Sequence, residues 1–400
     1  MRTFRKIRYF YKKFTRKLRK CMENAETFIA DVLYDRKDST GVRVAAGILL
    51  PLSYIFSFIV RCRQYLYKKN IFPAASIGCP VIVVGNLTLG GTGKTPVVEK
   101  LARTLREHGR QVAILSRGYK SKREARWKVL WRWLTHKSEP PPRVVSNGKS
   151  LLLGSELAGD EPYMLASNLP NVIVIVDKDR VKAGHYAVKR YNADVLILDD
   201  GYQYLPMRGY MNLLLIDSTN PFGNGHLIPR GILRESIKNI RRASYILLTK
   251  VGNSNVDGII QTIHRYHPSV KIIQCSHLPR NLTQLDRKDV RPITFLNGKN
   301  IMAFSGIASP ESFERFLYEN QANIVYAKRF VDHHRFSRDE LNKIFDIAYT
   351  RGAEIVVTTE KDAVRIPNDF IPPIPTFFLK IEIEIVAGED IFDEMISQFQ

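Results

Sequence analysis

Gly93-Lys94-Thr95 closes the stretch GNLTLGGTGKTP (85–96), and these three residues have the types and order that grip phosphate. The backbone amides of Gly90, Gly91, Thr92 and Gly93 can point at anionic oxygens, Lys94 adds a mobile cation, and Thr95 adds a hydroxyl suited to Mg2+. The full consensus, G-x-x-x-x-G-K-[ST], asks for a glycine five residues before Gly93, where this chain has Thr88. That outermost position turns the loop without touching phosphate, so Gly90 and Gly91 can supply the flexibility. A chance match in a turn is the plain alternative.

A second acidic motif argues against chance. VLILDDGYQY delivers Asp199 and Asp200 to the carboxyl end of an apolar run, where a carboxylate can meet Mg2+ bridging nucleotide phosphates. Helix capping is the simpler role for such a pair. Further polar groups stand beside glycines or element ends: Asp160 and Glu161 in AGDEPYMLA, Asp179 and Arg180 in VDKDRVKAG, Arg234 and Glu235 in NPFGNGHLIPRGILRE, and VDHHRFS around His333 and His334. Any one of them could be structural.

These residues need strands and helices to hold them. CPVIVVGN, QVAILSRGY, NVIVIVDKDR, ADVLILDDG, MNLLLIDST and ASYILLTKV are near-continuous Val/Ile/Leu runs, the mark of strands buried on both faces of a parallel sheet. After the loop, Val97, Val98, Leu101 and Leu105 recur at helical spacing until Gly109. The pattern predicts an α/β fold, a doubly wound, mostly parallel sheet of the phosphate-loop NTPase type. From about residue 286 a second, smaller α/β pattern follows. The expected layout is a basic arm (1–40), a membrane-associated helix (41–70), a phosphate-loop kinase core (71–285) and a smaller C-terminal α/β domain (286–400). A Trp- and Pro-containing insertion at 120–143 interrupts the core with basic and aromatic residues.

At 400 residues, 44% apolar and 25% charged, the chain can build a substantial core, and wholesale disorder is excluded. The 61 Lys and Arg against 39 Asp and Glu give +22, which points to an anionic partner. Residues 1–20 carry ten Lys or Arg and no acid, interleaved with aromatic rings, as a membrane-surface segment would. A solvated tail fits them equally well, and no RNA-binding signature accompanies them. Val44–Val60 then runs 17 residues without charge, at the lower limit for a bilayer span, with Pro51 in the middle and cations flanking it. A helix dipping into one leaflet is the favoured expectation, with a single span as competitor. Cys21, Cys62, Cys79 and Cys275 lack zinc-ligand or disulfide-framework spacing.

Read in order, GNLTLGGTGKTP, LSRGYK, GDEPYMLA, DKDRVKAG, DDGYQY, NPFGNGHLIPRGILRE, LTK, DHHRFS and TTEKDAVR closely resemble the tetraacyldisaccharide 4'-kinase family. Members of that family phosphorylate the 4'-hydroxyl of the lipid A disaccharide precursor with ATP, and their loop reads like GGTGKTP, so Thr88 is no objection. The resemblance implies an enzyme on the cytoplasmic face of the inner membrane, peripheral or monotopic. It implies ATP and Mg2+ as cofactors, anionic lipids and the lipid A precursor as partners, no nucleic acid, and a monomer. It also implies that Lys94 and Thr95 bind phosphates and Mg2+, that Asp199, Asp200 and Glu235 serve the metal or its waters, and that Arg180 and Arg234 face phosphate charge. Asp160 with His333 would be the base for the sugar hydroxyl, His334 being the competing histidine. Where the family reads DDGFQH this chain has Tyr202 and Tyr204, so no role can require a histidine at 204. A membrane-associated nucleotide switch that delivers a metal or moves a partner is the alternative of the same fold.

Overall fold

The computed structural model describes residues 27–118, 139–252, 255–307, 309–367 and 369–399. The basic arm up to residue 26 and most of the Trp- and Pro-containing insertion lie outside the described residues.

A 13-stranded, mostly parallel sheet runs through the described residues. Its central strand is β1 (Val81–Asn86), and β2 (Val112–Ser116), β3 (Arg143–Asn147), β4 (Ile173–Val176) and β5 (Val195–Leu198) extend it on one side. On the other side come β6 (Met211–Asp217), β7 (Tyr245–Thr249) and the long β8 (Lys271–Gln284), with β9 (Val290–Arg291) paired to it. The small sheet of β10 (Asn300–Ser305), β11 (Asn323–Arg329) and β12 (Ile355–Thr359) joins through β13 (Thr376–Ala387). The resulting order is β11-β10-β12-β13-β8-β7-β6-β1-β5-β2-β4-β3, with β13 and β8 pairing antiparallel from Phe377↔Gln284 to Ala387↔Gln274. That ribbon makes one continuous sheet of the two halves.

The apolar runs behave as strands covered on both faces. In β1, Ile82 and Val84 enter one core cluster while Val81 and Val83 enter another on the opposite face. In β10, Ile301 and Ala303 face one cluster, and Met302 and Phe304 face a second. Each large side chain buried this way contributes about 1.5–3 kcal/mol, which is why such strands are apolar throughout rather than alternating.

Helices close the faces. α1 (Thr40–Lys68) lies outside the sheet, α2 (Lys94–Glu107) follows the loop, and α3 (Asp160–Asn168) and α4 (Arg180–Tyr191) flank the core. Val97, Val98, Leu101 and Leu105 are the buried stripe of α2, as their spacing requires. In the second half α5 (Pro310–Glu319), α6 (Arg338–Thr350) and the short α7 (Glu360–Ala363) cover the small sheet. The last helix, α8 (Glu389–Ser397), returns to the first half: Phe392, Met395 and Ile396 pack in the same cluster as Val98 and Leu101.

α1 inverts the pattern of a core helix. Its buried residues are Val42, Ser53 and Ser57, whereas Ile48, Tyr54, Ile55, Phe58 and Ile59 are all more than half exposed. The small polar face docks on the body, where Ser53 Oγ donates to Leu227 O at 2.6 Å and accepts from Arg230 N–H at 2.9 Å. Only 17% of its most apolar 18-residue window is buried, so the apolar face is turned outward. This excludes a buried core helix.

Candidate active site

β1 ends at Asn86, and the chain then turns through residues 87–93 into α2. Thr88 is not strained there. It bridges Leu233 in an antiparallel pair, and Asn86 Nδ2 donates to its carbonyl at 2.7 Å. Leu89 N–H donates to Ile232 O and Arg234 N–H to Leu87 O, each at 2.7 Å. The outermost loop position is therefore an extended residue stapled to a neighbouring segment, which a threonine fills as well as a glycine. Left-handed backbone falls instead at Gly90 (φ +108°) and Gly93 (φ +78°). At Gly93 a Cβ would also lie 2.4 Å from His277 Nε2.

Residues at the carboxyl end of β7 pull the loop's carbonyls toward the protein. Thr249 Oγ1 donates to Thr92 O and Lys250 Nζ to Gly91 O, both at 2.8 Å, and Lys250 also pairs with Asp217. No side chain caps the amino end of α2, so its first amides are left for an anion. His277 packs beneath, its Nε2 without a hydrogen-bond partner, and burial with help from Lys250 pushes its pKa down to about 4. It is neutral at physiological pH, and sequence reasoning gave it no role.

Topology delivers the aspartates. β5 is the parallel neighbour of β1, with Val83 opposite Leu198, so Asp199 and Asp200 emerge beside the loop. Lys94 Nζ lies 3.2 Å from Asn86 Oδ1 and 3.5 Å from Asp200 Oδ1. Arg234 Nη1 donates to both Asp200 oxygens, at 2.9 and 3.0 Å. Burial pushes the Asp200 carboxyl up, but Lys94 and Arg234 outweigh it and hold it below its ordinary value. Asp199 has no such relief. Burial, then the charges of Glu161 and Asp200, raise it to about 7 although Lys94 and the Ser116 hydroxyl work the other way.

Arg180 is buried next to this pair, with its guanidinium 4.0 Å from the centre of the Tyr204 ring. The Tyr204 hydroxyl accepts from Arg180 N–H at 3.1 Å and donates to Asp179 Oδ1 at 3.3 Å, while Asp179 caps the start of α4. The phenol at 204 is thus a platform for Arg180, a role that needs no imidazole.

Glu235, expected to serve the metal or its waters, is held by donors of the protein. It is 1% exposed, and its carboxylate accepts from Gln203 Nε2 at 2.7 Å and from Gln64 Nε2, Asn239 Nδ2 and Arg242 Nη2, each at 2.6 Å. Four donors, three amides and a guanidinium, surround it. Since Gln64 belongs to α1 and Gln203 reaches Asn86 O at 2.9 Å, Glu235 ties the apolar helix to the strand that carries the loop.

A further carboxylate is held by the second half of the chain. Asp160 Oδ1 accepts from Arg335 Nη2 at 2.8 Å and Oδ2 from Arg365 Nε at 2.9 Å. His333 Nδ1 stands 3.7 Å from Oδ2, too long for a hydrogen bond, and Arg365 Nη2 lies 3.0 Å from that same nitrogen. Burial raises the Asp160 carboxyl, but His333, Arg365 and Arg335 together bring it below its ordinary value. Neither arginine was singled out in the sequence, although both lie inside quoted motifs, DHHRFS and TTEKDAVR. Their signal was modest: Arg335 adjoins His334, and Arg365 follows Asp362 by three positions.

The two histidines separate clearly. His333 takes a left-handed conformation (φ +64°) that turns it toward Asp160. His334 instead contacts Glu340 Oε2 at 3.2 Å and stacks on Phe330 at 4.8 Å, and Glu340 is part of the capping box that starts α6. His333→Ala is expected to lower turnover about 100-fold with little change in melting temperature. His334→Ala should leave turnover within a few-fold while costing about 1 kcal/mol of stability. Turnover measured beside thermal unfolding distinguishes them, and the reverse pattern would reassign the site.

Fold and geometry together define a phosphate-loop phosphotransferase, with a cradle and cations for a nucleotide's phosphates and a fixed carboxylate supplied from another segment. The family described as Tetraacyldisaccharide-1-P 4'-kinase matches residues 45–400, and the chain belongs to it. The tetraacyldisaccharide 4'-kinase of Halothermothrix orenii is 32% identical over 92% of this chain and 96% of its own length. That of Desulfotalea psychrophila is 36% identical over 86% and 94%. Among solved structures, "apo" form LpxK from Aquifex aeolicus, in complex with ATP, aligns with a TM-score of 0.69 and 29% identity, covering 89% of this chain and 99% of that one.

Proposed function

We propose that the chain transfers the γ-phosphoryl group of ATP to the 4'-hydroxyl of the tetraacyldisaccharide 1-phosphate precursor of lipid A, at the cytoplasmic face of the inner membrane. Family membership carries the kinase activity, and the intact phosphate loop beside Asp200 is the observation that supports it in this chain. ATP as donor is supported by the loop's chemistry and by the nucleotide bound to the Aquifex aeolicus relative.

In this reading the amides of residues 90–93 and Lys94 hold the β- and γ-phosphates. Arriving phosphate charge competes with Asp200 for Lys94 and Arg234, and Arg180 adds a third cation behind them. Thr95, Asp199 and Asp200 are hard oxygen donors in numbers that suit Mg2+ carried in by phosphates. The buried Asp199, raised to about 7, is a group that a divalent cation would hold ionised. Thr95, Asp199 and Asp200 would hold such an ion, which would supply positive charge for the phosphates of the leaving group. Glu235 is left out of this set, because its oxygens are already taken. Asp160 orients the sugar hydroxyl in line with the γ-phosphorus and receives its proton late, as a loose phosphoryl-transfer transition state requires. Residues 71–285 and 286–400 would then act as a nucleotide-binding unit and an acceptor-side unit, with the chain working as a monomer.

The acceptor is acylated, so the enzyme works at the bilayer. The exposed face of α1 fits a helix lying in one leaflet, with Arg61, Arg63, Lys68 and Lys69 placed for anionic headgroups. Replacing Ile55, Phe58 and Ile59 together by Gln should release the protein from vesicles containing anionic lipid. Each side chain contributes about 1.5–3 kcal/mol, so partition should fall by more than about 1,000-fold. The melting temperature should hold, because the docking residues Ser53, Ser57 and Gln64 are untouched. A triple variant that still floats with the vesicles would move the anchor elsewhere.

The decisive assay presents Mg·ATP and the tetraacyl disaccharide 1-phosphate in mixed micelles. Labelled phosphate on the lipid supports the proposal. ATP hydrolysis that is independent of the acceptor, with no labelled lipid, would favour the nucleotide-switch alternative.

A further inference from the structure

One side chain, Arg365, touches both the acceptor-side carboxylate and the histidine. Arg365, whose side chain is 1% exposed, spends its guanidinium on four acceptors. Nε donates to Asp160 Oδ2 at 2.9 Å, Nη1 to Gly306 O and to Asp362 Oδ1, each at 2.9 Å, and Nη2 faces His333 Nδ1 at 3.0 Å. Asp362 is itself fixed by the Gly306 N–H at 2.9 Å and by Thr359 Oγ1 at 2.6 Å. Glycine at 306 is part of the arrangement, since a Cβ there would lie 3.1 Å from Asp362 Oδ1.

Chemistry follows from the direction of these bonds. A guanidinium has donors only, so the 3.0 Å contact is satisfied by the His333 tautomer that accepts through Nδ1 and carries its proton on Nε2. An Asp–His base couple needs the opposite tautomer, with Nδ1–H donating to the carboxylate and Nε2 free to accept a proton. Resting on the reading of Asp160 and His333 as the acceptor site, we propose that Arg365 is its positioning residue: it fixes His333 as a donor through Nε2 and leaves Asp160 as the group that takes the hydroxyl proton.

The step balances without another reactant. The sugar oxygen forms its bond to the γ-phosphorus while the bond from phosphorus to the ADP oxygen breaks, that oxygen keeping the electron pair. The hydroxyl proton passes to Asp160, and the O–H electrons stay on the sugar oxygen. Each Asp160 oxygen has a lone pair beyond the one its arginine uses. Asp160 meets His333 and Arg335 from the loop before α6 and Arg365 from the segment around α7, and these in turn meet Asp332 (through His333) and Asp362 (through Arg365), while its neighbour Glu161 pairs with Lys361. Lysine could not substitute, because a point charge cannot reach four acceptors in one plane.

The test compares R365K, R365Q and D160N in the full chain, with ATP binding and thermal unfolding as controls. R365K and R365Q are expected to lower kcat/KM for the lipid acceptor about 100-fold while leaving KM for ATP unchanged. R365Q should also move the acid limb of the kcat/KM profile to higher pH, since Asp160 loses a cation and a charge-assisted hydrogen bond, whereas a merely structural role would leave that limb in place. In native protein carrying 15N-labelled histidine, the His333 signal should show Nε2 protonated. A folded, ATP-binding R365Q with an unshifted limb overturns the inference, and so does a native His333 protonated on Nδ1. That second measurement decides alone if R365Q does not fold. D160N with full turnover would instead sink the acceptor-site reading, a different outcome from an inactive D160N beside an unperturbed R365Q.

Discussion

Lys94→Ala is expected to lower turnover by about 100- to 1,000-fold, with the fold intact. Phosphoryl transfer demands little covalent chemistry, so its rate rests on positioning and on charge placed where the transition state needs it. Lys94 supplies that charge from the first residue of α2, and its present contacts, Asn86 Oδ1 at 3.2 Å and Asp200 Oδ1 at 3.5 Å, are ones that a phosphate can outcompete. Removing a single well-placed donor in comparable sites costs about 2.7–4 kcal/mol of transition-state stabilisation. Stability should change little, because Asp200 keeps the two hydrogen bonds from Arg234. Steady-state kinetics with a melting curve checks both halves, and undiminished turnover would remove the loop from the mechanism.

Asp160→Asn should cost about 100- to 10,000-fold in turnover, since an amide can still orient a hydroxyl but does not take its proton. The same change bears on stability. Arg365 is buried and would keep Asp362 but lose one carboxylate, a penalty on the order of 2 kcal/mol, the size of one charge-assisted hydrogen bond. The pH dependence has a definite sign. The Asp160 carboxyl is held below its ordinary value of 3.8, so its stabilisation is present above that value and is lost as pH falls through the folded-state value. Wild-type protein should therefore lose stability below about pH 4 more steeply than D160N, as acid titration of unfolding would show. Parallel acid limbs would mean that the carboxylate is not held as described.

The sequence by itself determined the elements and the chemistry at their ends. Runs such as VIVVGN and VLILDD could be read as doubly buried strands because both faces of β1 and β5 do pack against apolar layers. Local rules sufficed for the loop's glycines, for the stripe of α2 and for the outward apolar face of α1, since these depend on residues a few positions apart. The Asp199 and Asp200 pair was legible for the same reason: a strand end is a local feature.

What only the tertiary structure decided was which distant groups share a site. The pairing of β5 with β1 sets Asp200 within reach of Lys94 across more than 100 residues of chain, and no local pattern encodes that neighbour. Thr88 is tolerated because Leu233 bridges it, a contact from another segment. The family resemblance implies a metal role for Glu235, and only the fold shows its carboxylate among Gln64, Gln203, Asn239 and Arg242, tying the apolar helix to the core. Arg365 lay inside a legible motif without a role, because a guanidinium's function depends on which acceptors lie in its plane. The chain ordering fixed the pieces through short-range sterics and burial, and long-range packing alone fixed the charges that face one another.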